Sequence, residues 1–383
     1  MSTRDAARGP VEPDGAVPPG QAGNAPGGTE PTVRSAKAPA QHDPFRRPSD
    51  DPTLGDGAKP PTSEAWGATQ GLPDDAATAG SALVVGEALV DIVERPGEEP
   101  AEHPGGSPAN VAVGLARLGR DVELVSWFGA DPHGSLLRSH LELENVRLSA
   151  ASARAGRTST ARARLDDAGG ATYDFDLEWA PPTPEPTSQP RILHTGSIAA
   201  VLEPGAQTVT AAVEKYRGSA TISYDPNVRP PLMGEAEQTR GVVEGLVARA
   251  DVVKVSDEDL AWLVPGAEPL DVAREWLRTG PALVVVTRGA QGAWAAAADG
   301  TELTAAAREV EVVDTVGAGD SFMAGILDGL WSAGLLGADR RQALREIDAG
   351  TLQGVLDRAS TIAAITVSRE GANPPTRAEL TTD

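Results

Sequence analysis

The sequence predicts an α/β protein in which a doubly wound, mainly parallel sheet lies between helices and a few extra strands stand to one side. Three observations lead there. From Ser81 onward, short apolar runs alternate with helix-length segments. The runs are near-continuous rather than alternating, which suits strands covered on both faces. Two stretches, Ala88 to Val93 and Thr160 to Phe175, depart from this and alternate every other residue, the mark of strands with one exposed face.

The elements follow in order. Leu83-Val84-Val85 opens the pattern as a strand, Asn110 to Leu118 is helix-length, Val122 to Trp127 is the next strand and Leu136 to Leu143 the next helix. The alternation resumes at Arg191-Ile192-Leu193-His194, Thr221 to Tyr224, Asp251 to Val255 and Leu283 to Thr287, each with a helix-length neighbour. The alternating stretch from Thr160 turns at Asp166-Asp167-Ala168-Gly169-Gly170, a good hairpin loop. Its residues allow either a small second sheet or an ordinary peripheral hairpin.

Ahead of this lies a different composition: residues 1–80 hold 13 Pro and 11 Gly, against 19 Pro and 31 Gly in the remaining 303 residues. Such a segment lacks the apolar periodicity needed to offset chain entropy, so a disordered tail over 1–80 and a folded domain over 81–383 are expected.

Charge and residue usage narrow the function. The 33 basic and 55 acidic residues give a formal net charge of -22, which argues against a nucleic-acid or anionic-membrane surface. With no cysteine, disulfides, thiolate nucleophiles and Cys-ligated metals fall away, and the five histidines show no metal-binding spacing. Any catalytic metal is then a hard cation such as Mg²⁺. No apolar run of membrane-spanning length and no secretory leader is present, so a soluble, cytoplasmic protein is expected.

The strongest local signal is Val312-Val313-Asp314-Thr315-Val316-Gly317-Ala318-Gly319-Asp320-Ser321, an apolar stretch and a glycine-spaced turn that opens an apolar helix. Gly317 and Gly319 let backbone N–H groups converge, and the helix N-terminus adds positive potential, so a phosphate fits there. Asp320, at the helix start, reads either as an N-cap or as the carboxylate that takes a proton from a phosphoryl acceptor.

These residues resemble the signature of the PfkB-type, or ribokinase-like, carbohydrate kinases, and the resemblance runs from about Leu83 to about Pro375. It implies an ATP-dependent sugar kinase in which Asp320 is the base and Gly317, Ala318 and Gly319 form the anion hole. It implies a small β lid near residues 88–104 and 158–178, through which relatives often pair as homodimers. Gly105-Gly106-Ser107-Pro108-Ala109-Asn110 matches the first signature of the family, where Ser107 can cap, Pro108 occupies the first helical turn and Asn110 is left to bond a sugar hydroxyl. Asp91 matches the sugar-binding aspartate, and Gly105, Gly106 and Arg229 of Asp225-Pro226-Asn227-Val228-Arg229 complete the implied sugar side. Thr287, Gly289 and Gly292 match the nucleotide-side turn. Ser360 and Gly371-Ala372-Asn373-Pro374 match the segments that flank the adenine and, in several members, a monovalent cation such as K⁺.

The chain departs from the family at Ser256-Asp257-Glu258-Asp259, where many members carry Asn-x-x-Glu. Asp259 is expected to hold a water-ligated Mg²⁺, and Ser256 to cap the helix Asp257 to Leu263. The Gly86-Glu87-Ala88, Gly-Gly-Ser-Pro-Ala-Asn and Asp-Pro-Asn-Val-Arg forms look most like fructokinase. 2-Keto-3-deoxygluconate kinase, ribokinase or a sugar-binding regulator on the same fold are the alternatives.

Overall fold

A computed structural model of the chain describes residues 80–166 and 171–380. The tail expected over residues 1–80 falls outside them up to residue 79, as do residues 167–170 of the hairpin turn. The strands are β1 (Ser81–Val85), β2 (Leu89–Glu94), β3 (Ala101–Gly105), β4 (Val122–Val125), β5 (Arg147–Leu148), β6 (Thr160–Leu165), β7 (Ala171–Asp176), β8 (Pro190–Gly196), β9 (Thr221–Asp225), β10 (Val252–Ser256), β11 (Leu283–Thr287), β12 (Ala293–Ala297) and β13 (Glu302–Ala305). The helices are α1 (Ser107–Arg117), α2 (Pro132–Leu143), α3 (Gly205–Tyr216), α4 (Pro230–Met233), α5 (Ala236–Val247), α6 (Asp257–Leu263), α7 (Pro269–Thr279), α8 (Ala318–Ser332), α9 (Arg341–Arg345), α10 (Ala349–Val367) and α11 (Arg377–Leu380).

Nine strands form the main sheet in the order β13-β12-β11-β10-β9-β8-β1-β4-β5. The pairs from β11 to β5 are parallel, and β12 and β13 close one edge as an antiparallel hairpin. β1 is buried along its whole length because helices cover both faces, as its unbroken apolar run required. On one face α8 is buried almost all round, with Gly114 of α1 against Ala324 and Gly325 against Ala359 of α10. On the other face Val213 of α3, Leu246 of α5 and Trp276 of α7 fill the second core.

The winding fixes where a ligand belongs. From β1 the chain steps to β4 and β5, then returns to the other side of β1 and continues through β8, β9, β10 and β11. The direction therefore reverses between β1 and β8, and the crevice beyond their C-terminal ends is where open α/β sheets bind ligands.

The alternating stretches form a separate four-stranded sheet, β3-β2-β6-β7, which decides between the two forms their residues allowed. In its register Asp91 lies opposite Ala161 and Glu94 opposite Arg164, so these acidic residues stand on opposite faces. Glu94 pairs with Arg162 and, at 2.9 Å, with Arg164, which places both arginines on the face away from Asp91.

Candidate active site

The site is built where the start of α8 meets the start of α1. Gly317 takes φ 74, a left-handed conformation that glycine adopts without strain, and turns the chain into α8. Asp320 is therefore the third helical residue rather than the N-cap, and its carboxylate bonds elsewhere. Ser107 Oγ donates to its Oδ1 at 2.7 Å and Asn110 Nδ2 to its Oδ2 at 2.8 Å. Both donors stand at the start of α1, whose N-cap is Gly106. Ser107 thus spends its hydroxyl on Asp320 and not on capping its own helix, while Pro108 keeps the expected first-turn place. Asp320 is 7 % exposed, so little of its carboxylate meets solvent.

The turn beside it keeps backbone donors free. Ala318 N–H reaches Thr315 C=O at 3.2 Å, whereas the N–H groups of Gly317, Gly319 and Asp320 have no partner among the described residues. Free N–H groups aligned at a helix start are of the kind that can receive an anion. The turn is braced from behind by Asp314, whose carboxylate accepts from Val316 N–H at 3.0 Å and from Gly371 N–H at 2.9 Å. Arg117 in turn fixes the same late loop through Asn373 Oδ1 and Pro374 C=O.

A buried ion pair lies against this turn. Lys254 of β10 donates to Asp225 at the end of β9 at 2.8 Å, with the residues 3 % and 0 % exposed. A Cβ added to Gly319 would lie 2.9 Å from Lys254 Nζ, so only glycine lets the ammonium approach the helix start. Burial pulls the Lys254 ammonium down, and the charges of Asp225, Asp320 and Asp259 more than reverse this, leaving it above its usual value. Burial lifts Asp225 to about 6 against the pull of Lys254. At neutral pH both partners are charged.

The residues expected on the sugar side gather at the β1 end. The Asp91 carboxylate packs on Gly105, where a Cβ would stand 2.1 Å from Oδ2, and burial lifts Asp91 to about 7 against the charge of Arg229. Arg229 folds back on its own loop, donating to Asn227 Oδ1 at 2.7 Å and to Val228 C=O at 3.0 Å, with its charge acting on Asp91 and Glu87.

Of the residues expected on the nucleotide side, Thr287 ends β11 and Gly289 and Gly292 form the turn into β12. Gly292, at φ 81, lets that turn close against Ala305 C=O. Ser360 is buried within α10. Ser256 caps α6 as expected, in a full capping box with Asp259. Asp259 Oδ1 also accepts from Val228 N–H at 3.1 Å, so the same carboxylate ties the β9 loop to α6.

Among the described residues no three His, Cys, Asp or Glu gather as a metal cage, and no helix is long and apolar enough to cross a membrane. The acidic groups present fit a cation that keeps its waters and arrives on phosphates.

The model for the pfkB family of carbohydrate kinases matches residues 80–379. The chain belongs to that family. This kinase is 38% identical to a fructokinase of Klebsiella pneumoniae over 270 residues, 67% of this chain and 86% of the relative. Among solved structures, a double-mutant fructokinase from Vibrio cholerae O395 with fructose, ADP and potassium ion bound superposes with a TM-score of 0.63 at 28% identity, covering 77% of this chain and 94% of that one. Aminoimidazole riboside kinase from Salmonella enterica, complexed with aminoimidazole riboside and an ATP analogue, does so with 0.64 at 26% identity, covering 79% and 99%. The kinase therefore has the ribokinase-like fold expected from its signatures.

Sequence reading gave Ser107 and Asp225 no role in the site, and it named Lys254 only as a cation that, with Arg229, could offset phosphate charge, not as the partner of Asp225. Ser107 stood inside a recognised signature, but only its contact across 213 residues gives it a partner other than its own helix. A lysine inside the apolar run Val252-Val253-Lys254-Val255 was the one available sign, since a buried lysine demands a carboxylate.

Proposed function

We propose that this kinase transfers the γ-phosphoryl group of ATP to a primary hydroxyl of fructose, with Asp320 as the base. The observation that carries the reading is the placement of Asp320: a buried carboxylate, oriented by Ser107 and Asn110, immediately beside the free N–H groups of Gly317 and Gly319. In-line phosphoryl transfer needs an acceptor hydroxyl held beside a carboxylate and donors for charge developing on the phosphoryl oxygens. Asp320 takes the hydroxyl proton. The N–H groups of Gly317, Gly319 and Asp320 hold the phosphoryl oxygens, and Lys254 adds positive potential behind them. Asp91, Gly105, Gly106, Asn110 and Arg229 form the sugar side, and Thr287, Gly289, Gly292 and Ser360 the nucleotide side.

Mg²⁺ bound with the nucleotide would neutralise charge on the phosphates, and Asp259, whose oxygens also accept from Val228 and Ser256 N–H, would hold it through water. A monovalent cation belongs beside the late loop braced by Asp314 and Gly371. A homodimer through the lid is part of the same reading.

Fructose is favoured over an acidic sugar by charge. Two carboxylates, Glu87 and Asp91, share the field of one guanidinium, Arg229, which suits a neutral polyol better than a second anion. The similarity to fructokinases supports the same choice. A coupled assay with ATP, Mg²⁺ and a panel of fructose, 2-keto-3-deoxygluconate, ribose and glucose tests this. Fructose should give the highest kcat/KM, and a higher value for 2-keto-3-deoxygluconate would overturn the substrate assignment.

A further inference from the structure

The crevice between β1 and β8 has a floor that the transfer step does not use. Glu87, just beyond β1, is 6 % exposed, and its Oε2 accepts the N–H of Ala199 at 3.1 Å. The Ser197 side chain also acts on this carboxylate, loosening its hold on its proton. Both partners lie in the short turn Ser197–Ala200 that follows β8. One side chain thus ties two strand ends together across the point where the winding of the sheet reverses. The turn needs the tie, because Ser197 has φ 54, a left-handed conformation that disfavours a residue with a Cβ.

The main chain of Glu87 supports a second element. A Cβ on Gly106 would lie 2.5 Å from the Glu87 carbonyl oxygen, so the loop that delivers Ser107 and Asn110 to Asp320 rests directly on this residue. Arg229, from the loop after β9, acts on Glu87 by charge.

We propose that Glu87 is a positioning residue of the sugar subsite, its carboxylate holding the Ser197–Ala200 turn and balancing Arg229 so that the floor of the crevice presents a fixed surface to a neutral sugar. The inference rests on the sugar-kinase reading above. Burial lifts Glu87 to about 7, opposed by its own backbone, by Ser197 and Ala199 and by the charge of Arg229. Asp91, on lid strand β2, is lifted to about 7 by burial and shares the same guanidinium. Two protons therefore leave this end of the site near neutrality.

The test is steady-state kinetics of the full chain, Glu87→Gln and Ser197→Ala between about pH 5.5 and 9. They use ATP and whichever sugar of the panel the wild type phosphorylates. Glu87→Gln should raise the KM for sugar roughly tenfold at pH 8, leave the KM for ATP within about twofold, and remove one proton from the acid limb of log kcat/KM, to which Asp91 and Asp225 also contribute. Ser197→Ala should raise the sugar KM in the same direction by about threefold, and it carries the test if the Gln variant does not fold. An active wild type whose sugar KM and acid limb survive both substitutions overturns the inference alone. A wild type that phosphorylates no sugar of the panel overturns the functional reading and this inference with it.

Discussion

Asn110 Nδ2 donates to Asp320 Oδ2 at 2.8 Å, joining the first turns of α1 and α8 across 210 residues of chain. With Ser107 on the other oxygen, the carboxylate has one orientation and keeps lone pairs for a single direction. Asn110 was expected to bond the sugar; its amide nitrogen also holds the Asp320 carboxylate. Asp320→Asn, with the fold intact by circular dichroism, should lower kcat by about three orders of magnitude or more. Asn110→Ala and Ser107→Ala should each lower kcat by roughly ten- to a hundredfold, because a base left to rotate loses alignment. Near-normal turnover of Asp320→Asn would remove the assigned base.

The Lys254–Asp225 pair makes a prediction about stability. Lys254→Met strands a carboxylate that is 0 % exposed, and removing one partner of a buried pair typically costs about 3–5 kcal/mol. The double variant Lys254→Met/Asp225→Leu removes both charges and should recover most of that loss without recovering activity. Urea titrations of the three proteins measure it. If the single variant costs less than about 1 kcal/mol, the two charges are not coupled in the way their 2.8 Å contact requires.

The layers of this fold are legible in the chain because strand burial writes itself as unbroken apolar runs. Leu83 to Val85 and Leu283 to Thr287 fall in β1 and β11 as read. The hairpin β12–β13 escaped notice because Ala293 to Ala297 is alanine-rich, and alanine favours helix until tertiary pairing overrides it. The site divides along the same line. Backbone devices such as the Gly317 to Gly319 turn and the Ser256 cap are local and carry their own spacing. Ser107 and Asn110 on Asp320, and Lys254 on Asp225, are side-chain contacts between distant segments, and nothing in a local pattern says which of a polar residue's possible partners it meets.

Gly317 offers a test of the turn itself. A Cβ there would lie 2.6 Å from that of Ala372, and the φ of 74 disfavours any side chain. Gly317→Ala should lower kcat/KM for ATP by about a hundredfold, since a displaced turn no longer aims its N–H groups. Gly300→Ala is the matched control, with φ 96 but open space around the position, in the β12–β13 turn. It should cost about 1 kcal/mol of stability and leave the kinetics unchanged. Equal kinetic effects from the two would show that the turn is sensitive to strain in general rather than to its own geometry.

Glu87 and Asp91 also fix how stability depends on pH. Each binds its proton more tightly in the folded chain, at about 7, than at the ordinary values of 4.5 and 3.8. Their contribution is therefore fully present below the unfolded values and is lost as pH rises through about 7, because the folded chain must then hold a charge on buried Glu87 and one on half-buried Asp91. For Glu87 the difference corresponds to about 3 kcal/mol as an upper figure. Glu87→Gln cannot ionise, so it should match the wild type near pH 4.5 and exceed it by about 2–3 kcal/mol at pH 8. Denaturant unfolding of both proteins at a series of pH values measures the gap. A gap that is constant with pH, or that widens toward acid, would mean that Glu87 is not held protonated by its burial. A gap that opens through neutrality would show the kinase keeping a destabilising carboxylate where the sugar is oriented.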